Sequence, residues 1–173
     1  MREIKARFLP ALRRVLRTAP DPAVHGAAFP AYAHRNPLVG LVFWRRLSVA
    51  VTEARRHGGT RALDFGSGAG IMSEALAAAG FDVTAVDVDQ GPSRLLGGQC
   101  AFTSSISFIE GDLLTLKLPE GAFDVIVALD VLEHIEPLGP YLGAFERLLA
   151  PGGVVIISGP TESWLYRLGR RLA

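Results

Sequence analysis

The sequence predicts an α/β fold, with a doubly wound, mostly parallel sheet of about five strands preceded by N-terminal helices. The apolar stretch Ala62–Phe65 leads through a glycine-rich turn into Ile71–Ala79, whose composition favours a helix. Strand-like and helix-like segments then alternate, which is the order typical of parallel α/β sheets. The apolar run Phe123–Leu129 suits a strand buried on both faces. These observations place a strand–turn–helix unit at the start of the sheet domain.

The other elements follow from apolar spacing and from the positions of glycine and proline. Ala19–Pro37 contains four prolines, so we expect an irregular linker there. Gly91–Cys100 favours a helix only weakly, because three glycines and a proline interrupt it. We expect residues 1–60 to form an N-terminal helical region and residues 61–173 to form the sheet domain. Helices are predicted over Met1–Thr18, Leu38–His57 and Tyr141–Leu149, and strands over Asp82–Asp87, Ser105–Glu110 and Val154–Ser158.

Composition excludes several classes of protein. At 173 residues the chain has the length of one domain, and its apolar share of 49% is ordinary for a globular protein. Cys100 is the single cysteine, so no intramolecular disulfide can form and a reducing cytoplasm is expected. No cluster of histidine and cysteine predicts a metal site. No apolar run approaches the roughly 18 residues of a membrane span.

Charge is distributed unevenly along a chain whose net charge is +1. Counting Lys and Arg against Asp and Glu gives +9 for residues 1–61, −11 for residues 62–162 and +3 for residues 163–173. Because the positive charges flank an acidic body, we expect the ends to dock onto that body and expect no nucleic-acid partner. Met1–Thr18 has apolar side chains at helical spacing between basic ones. Such a helix can lie on an anionic membrane surface or bind a partner, but more often it packs on its own domain, and we expect packing here.

Residues at the carboxyl ends of the predicted strands carry the candidate site, because ligands of open α/β sheets bind there. Gly66 and Gly68 lack a Cβ and can let a ligand lie against bare backbone. A dinucleotide-binding turn would have glycine or alanine where Ile71 stands, so that pattern fails at its last position. Asp87 ends the second strand about 20 residues further on, where a carboxylate can accept both ribose hydroxyls.

An acidic residue two positions before G-x-G-x-G, as in Ala62–Gly70, resembles the first motif of class I S-adenosylmethionine (SAM) methyltransferases. Val86–Asp89 is similar to their ribose motif and Gly111–Leu113 to their adenine motif. Phe123–Ile135 resembles the fourth-strand signature of small-molecule methyltransferases, including those of ubiquinone and menaquinone synthesis. Leu149–Ile157 completes the resemblance, which covers about three-fifths of the chain.

The resemblance implies a Rossmann-like domain that transfers the sulfonium methyl group of SAM to an O, N or C nucleophile of a small molecule. The basic amphipathic ends add a lipid-like acceptor to the candidates. His134 follows the fourth strand beside the implied cofactor, so it is a candidate either for a general base or for an orienting residue near the methionine end of SAM. The implied cofactor-binding residues are Asp64, Gly66, Ser67, Gly68, Gly70, Asp87, Val88, Asp112, Leu113 and Leu129.

In this family N-terminal helices often cover the cofactor, so the resemblance implies that residues 1–60 form a helical cap or lid over the SAM-binding domain of residues 61–173. Several residues before position 45 are candidates for lid contacts. Of these, we expect Tyr32 or Arg35 to reach the SAM carboxylate. Asp89 is expected to cap the following helix. The lid candidates are Tyr32, His34, Arg35, Phe43 and Trp44.

Three departures and alternatives accompany the resemblance. No segment after Val154–Ser158 predicts the family's sixth and seventh strands. An apolar edge strand is normally covered. We therefore expect either that the chain is truncated or that a second copy, a partner protein or the predicted helix Thr161–Leu172 covers that edge. No Asn/Asp-Pro-Pro-Tyr/Phe follows the fourth strand, which argues against the DNA-adenine and protein-glutamine branches. A non-catalytic SAM-binding subunit stays open, whereas Ile71 and the lack of Tyr-x-x-x-Lys disfavour a nicotinamide oxidoreductase.

Overall fold

The computed structural model describes residues 1–18, 32–34 and 36–159. Most of the predicted linker, the lid candidate Arg35 and the helix predicted over Thr161–Leu172 lie outside these residues. The helices are α1 (Arg2–Thr18), α2 (Pro37–His57), α3 (Ile71–Ala77), α4 (Gly91–Gly97) and α5 (Gly139–Leu148). The strands are β1 (Arg61–Phe65), β2 (Asp82–Asp87), β3 (Ile106–Glu110), β4 (Phe123–Leu129) and β5 (Leu149–Ser158), with a 3₁₀ turn at Leu132–His134.

The five strands form one parallel sheet in the order β3-β2-β1-β4-β5. Strand β1 lies in the middle, where Asp64 pairs with Ala85 of β2 on one side and with Val127 of β4 on the other. The chain turns from β1 to β2 and β3 in one direction, and then to β4 and β5 in the other. The predicted doubly wound fold is confirmed, and its switch point lies between β1 and β4.

Apolar side chains fill a core on both faces of the sheet, because successive residues of a strand point to opposite faces. On one face Val125 and Val127 of β4 share a cluster with α1, α2 and α3. On the other face Ile126 packs with Phe145 and Leu148 of α5. The predicted burial of β4 on both sides is therefore confirmed.

Most bounds agree with the predictions to within two residues, and two elements differ more. The segment from Gly91 does form a helix, α4, which begins with Pro92 in its first turn and buries Leu96. Proline is well tolerated in a first turn, and burial of Leu96 stabilises a helix that propensity alone would not. Strand β5 begins at Leu149, five residues before the predicted Val154, and reaches its main register through an irregularity after the Phe123–Leu149 pair. The segment Ala150–Gly153, between the predicted helix and the predicted strand, is thus part of the strand.

Helix α1 packs on its own domain, as its apolar spacing predicted. Ile4, Phe8, Leu12 and Val15 are at most 6% exposed and belong to the same core as α2 and α3. Burial of this stripe leaves the basic face outward. Among the described residues, none of the helices is both long and apolar enough to cross a membrane.

Arginines of the N-terminal part bind the acidic body directly. Arg7 of α1 forms an ion pair with Glu74 of α3, and Arg46 of α2 forms one with Asp130. At the amino ends of β1 and β4, Arg61 pairs with Asp124 at 2.6 Å. This contact holds the pKa of the Asp124 carboxyl well below its usual range. These contacts confirm the expected docking of the basic N-terminal part onto the acidic body.

Candidate functional site

Two adjoining cavities open at the carboxyl ends of β1, β2 and β4. The first has a volume of about 270 Å³ and the second about 330 Å³, and they share Gly66, Asp87, Val131 and His134. Of the sequence-predicted site residues, the first cavity is lined by Asp64, Gly66, Ser67, Gly68, Asp87, Leu129 and His134. The second is lined by Gly66, Asp87, Val88, Asp112, Leu113 and His134. All but one of the eleven predicted positions therefore meet in one crevice.

The carboxylate of Asp87 borders both cavities. Its Oδ2 accepts a hydrogen bond from the Gly68 N–H at 2.7 Å, and its Oδ1 accepts one from the Asp89 N–H at 3.1 Å. A carboxylate offers about four acceptor positions, so each oxygen keeps one for a ligand. Two neighbouring hydroxyl groups, such as those of a ribose, fit this arrangement.

The glycine loop between β1 and α3 needs its glycines for backbone conformation and for space. Gly66 has φ +72° and Gly68 has φ +50°, a region that only glycine enters at little cost. A Cβ on Gly66 would also collide with the side chain of Val131. The loop therefore presents bare backbone to the crevice, and Val131 lies where the two cavities meet.

Gly70 is the predicted site residue that lines neither cavity. It precedes α3 with φ +77°, and a Cβ there would stand 3.0 Å from both Phe102 and Phe108. Its role in the structure is thus to let the loop turn into α3 against an aromatic cluster. The G-x-G-x-G spacing cannot distinguish a glycine that faces a ligand from one that faces the core.

Asp64 is a buried carboxylate at the wall of the first cavity. It is 2% exposed, and the Ser73 hydroxyl donates to its Oδ2 at 2.5 Å. Burial raises the pKa of Asp64 to about 6, a shift that the Ser73 hydrogen bond opposes and the nearby Asp87 increases. A cationic group entering the first cavity would stabilise the ionised form.

Asp112 lies in the second cavity among apolar side chains. The hydroxyl of Tyr141 donates to its Oδ1 at 3.1 Å, and desolvation with this carboxylate nearby raises the pKa of that phenol. Phe65 lies against Tyr141, with ring centroids 5.7 Å apart. The second cavity combines apolar side chains with the carboxylates of Asp87, Asp112 and Glu136, and Asp112 could accept a hydrogen bond from the amino group of a purine ring.

The remaining wall of the first cavity contains residues that the sequence did not single out. Asp130 follows β4 with φ +55°, which is uncommon for a residue other than glycine. Its carboxylate pairs with Arg46, which also donates to Ser158 Oγ at 3.1 Å. Burial nevertheless raises the pKa of Asp130. No local pattern announces this contact, because it joins α2 to the ends of β4 and β5.

His134 and Tyr32 complete the crevice. His134 ends the 3₁₀ turn after β4, lines both cavities and is itself exposed. Tyr32 lines the first cavity, and burial, together with Asp64 and Asp130, raises the pKa of its phenol. The Trp44 indole donates to the Tyr32 carbonyl at 3.2 Å, which ties Tyr32 to α2.

The expected helix cap is realised in a shifted form. Asp89 Oδ1 accepts from the Gly91 N–H at 2.7 Å, but the residue at the cap position itself is Gln90. Asp89 also lines the first cavity.

Comparison with known proteins identifies the family of this chain. The model of the family described as "Methyltransferase domain" matches residues 5–172. Its span includes the residues that line both cavities and every element of the described fold except the first three residues of α1. The chain therefore belongs to the methyltransferase domain family, and its fold and motifs are those of the class I SAM-dependent enzymes.

Several curated relatives are ubiquinone biosynthesis O-methyltransferases. One from Caulobacter sp. (strain K31) is 36% identical over 102 residues, covering 58% of this chain and 40% of the relative. One from Pseudomonas aeruginosa (strain UCBPP-PA14) is 35% identical over 149 residues, covering 76% of this chain and 60% of the relative. The chain thus spans about half of the length of the curated relatives that it matches.

Solved structures share the fold. The crystal structure of the PH0226 protein from Pyrococcus horikoshii OT3 aligns with TM-score 0.64 and 25% identity over 83% of this chain and 67% of that one. A SAM-dependent methyltransferase from Mesorhizobium loti aligns with TM-score 0.57 and 23% identity over 65% of this chain and 51% of that one. These similarities confirm the Rossmann-like architecture.

Proposed function

We propose that this chain is a SAM-dependent methyltransferase that transfers the sulfonium methyl group of SAM to an O, N or C nucleophile of a small molecule. The observation that carries the proposal is the Asp87 carboxylate, which borders both cavities and faces the bare glycine loop. Membership of the methyltransferase domain family supports the same cofactor.

The chemistry of the two cavities fits the parts of SAM. The first cavity would hold the methionine portion, with Asp64 near its ammonium group, and the second would hold adenine between Val88 and Leu113 with Asp112 facing its amino group. Asp87 would accept the ribose hydroxyls that connect the two. Of the remaining predicted cofactor contacts, all but Gly70 line the first cavity, namely Gly66, Ser67, Gly68 and Leu129.

The acceptor is proposed to be a small, lipid-like molecule with a hydroxyl group, since relatives are named as O-methyltransferases of ubiquinone biosynthesis. Bound SAM supplies an electrophilic methyl group. His134 would then accept the hydroxyl proton or orient the acceptor, because it lines both cavities and an imidazole exchanges protons near neutral pH. Holding the nucleophile in line contributes the larger effect.

Residues 1–60 are proposed to act as a cap, because Tyr32 lines the first cavity and Arg46 of α2 holds its wall at Asp130. A cytoplasmic location agrees with the single cysteine. The exposed basic face of α1 makes an anionic membrane surface a candidate contact. A second copy of the chain is the proposed cover for β5.

Isothermal titration calorimetry of the wild type and of Asp87→Ala with SAM tests the assignment. We expect SAM affinity to fall about 10- to 100-fold, the loss expected when hydrogen bonds to a charged group are removed. Asp82→Ala is the matched control, because it removes the same charge from the exposed opposite end of β2. Equal SAM affinities for the three proteins would contradict the assigned ribose site.

Two further measurements separate the alternatives. SAM binding without methyl release over a panel of hydroxylated acceptors would favour a non-catalytic SAM-binding subunit. Tight binding of NAD with no binding of SAM would favour an oxidoreductase.

A further inference from the structure

Gln90 is a polar side chain that the fold buries almost completely beside the glycine loop. It is 2% exposed, it precedes α4, and it lines neither cavity. A buried carboxamide destabilises a protein unless its donors and acceptor are hydrogen-bonded. Its partners therefore reveal what the side chain holds in place.

The amide nitrogen of Gln90 lies 3.2 Å from each of three oxygens: Ser67 Oγ, the Ala85 carbonyl oxygen and the Ile109 carbonyl oxygen. Carbonyl oxygens only accept hydrogen bonds, so the NH₂ side of the carboxamide must face them. On the opposite side the Ser93 hydroxyl donates to Gln90 Oε1 at 2.5 Å. Every polar atom of the side chain is thus occupied.

These bonds join three separate parts of the fold. Ala85 belongs to β2 and Ile109 to β3, whereas Ser67 belongs to the glycine loop after β1. The main chain at Gln90 is fixed as well, because its N–H donates to Glu110 Oε2 at 3.0 Å. One side chain therefore holds the loop at a set position relative to two strands.

The loop is also held from a second direction, by the carboxylate of Asp87. The residue after Ser67 is Gly68, whose N–H donates to Asp87 Oδ2 at 2.7 Å. Displacement of Ser67 would therefore move the Gly68 amide and change the orientation of Asp87. A buried network in which each group is satisfied transmits such a displacement because it has few alternative arrangements.

We propose that Gln90 is a positioning residue for cofactor binding, which holds the glycine loop through Ser67 so that Gly68 and Asp87 meet the cofactor correctly. This inference rests on the proposed function for its ligand. Its action on the loop does not require the ligand, so the loop and the ligand can be measured separately.

The test is Gln90→Met, which keeps the length of the side chain and removes its hydrogen-bond donors. We expect SAM affinity by calorimetry to fall about five- to tenfold, the loss expected for one hydrogen bond. Hydrogen exchange of the Ser67 and Gly68 amides in the unliganded protein should become about tenfold faster. If Gln90→Met does not fold, Ser67→Ala breaks the same link from the loop side and replaces it in the exchange measurement alone, because Ser67 is itself a proposed cofactor contact.

Ser93→Ala is the matched control. It removes one hydrogen bond of Gln90 but leaves the amide nitrogen on Ser67, so loop exchange and SAM affinity should stay at wild-type values. The proposal is overturned if Gln90→Met and Ser93→Ala lower the melting temperature alike while neither changes loop exchange. If the wild type fails to bind SAM but Gln90→Met still accelerates loop exchange, the proposed function falls and the positioning role stands.

Discussion

Asp64 shows at the scale of one residue how burial and chemistry are linked. Its carboxyl is held by Ser73 inside the wall of the first cavity, and burial raises its pKa to about 6 from an ordinary value of 3.8. The folded protein therefore binds this proton more tightly than the unfolded chain does. Below the unfolded value both states are protonated and the group has no effect on stability. As pH rises from there through the folded value, the folded state is progressively destabilised, because the unfolded chain releases this proton at a lower pH than the folded protein does.

The expected result is that Asp64→Asn gains stability relative to the wild type as pH rises. Between about pH 5 and about pH 7.5 the difference in free energy of unfolding should shift by about 1 kcal/mol in favour of the variant. Asparagine keeps an acceptor for the Ser73 hydroxyl, so the change reports the charge. Urea unfolding at the two pH values measures it, and a difference independent of pH would contradict the raised pKa.

Backbone conformation at single residues was only partly predictable. Gly66 and Gly68 adopt positive φ, as a glycine turn after a strand suggests. The positive φ of Asp130 has no comparable signal in the sequence, and its carboxylate pairs with a residue more than 80 positions earlier. Local pattern therefore predicts the loop, and long-range contact decides the opposite wall of the crevice.

At the scale of secondary-structure elements, one contact attaches α2 to the carboxyl end of the sheet. Arg46 and Asp130 are 25% and 28% exposed, so both are largely removed from water. The guanidinium also reaches Ser158 at the end of β5 and lies over the ring of Phe43 at 5.4 Å. Helix α2 in turn holds Tyr32 at the first cavity through Trp44.

Breaking this contact should loosen α2. We expect Arg46→Met to lower the free energy of unfolding by about 2 kcal/mol, because it leaves a half-buried carboxylate without its cation. Asp130→Asn should lower it by about 1 kcal/mol, since asparagine tolerates positive φ and the guanidinium keeps Ser158. A double-mutant cycle in urea measures the coupling, and additive losses would show that the pair contributes nothing.

Element boundaries were predictable where periodicity was clear and failed where tertiary contact decides. Strands β2 and β4 have the bounds that their apolar runs predicted. Strand β5 starts earlier because Leu149 pairs with Phe123 beside a glycine-rich segment that reads locally as a turn. Helix α4 forms although its composition is poor, because Leu96 is completely buried.

At the scale of the whole molecule, β5 is the outermost strand of the described sheet on one side. Among the described residues it pairs only with β4, and Ile157 is 52% exposed on it. An apolar edge strand offers unpaired backbone groups to another strand. This exposed edge supports the proposal that a second copy covers β5. The doubly wound fold itself was predictable, because every strand had its own apolar pattern in the sequence.

The proposed dimer can be tested with a lysine on either edge of the sheet. Sedimentation velocity should find the wild type and Ser107→Lys as dimers at micromolar concentration and Ile157→Lys as a monomer, because a charge on β5 opposes strand pairing. Ser107 is the control, since it is exposed on β3, the opposite edge. A monomeric wild type would favour a different cover for β5.

The hydrogen bond between Asp87 and the Gly68 amide has a consequence for how a ligand associates. The loop and the carboxylate hold each other through a hydrogen bond within the chain, which involves no ligand atom. The conformational entropy lost on ordering them is therefore part of the cost of folding, and ligand binding does not incur it again. In a crevice preorganised in this way, the affinity for a ligand depends on the contacts that the ligand makes. The ligand can also associate without a slow rearrangement of the loop.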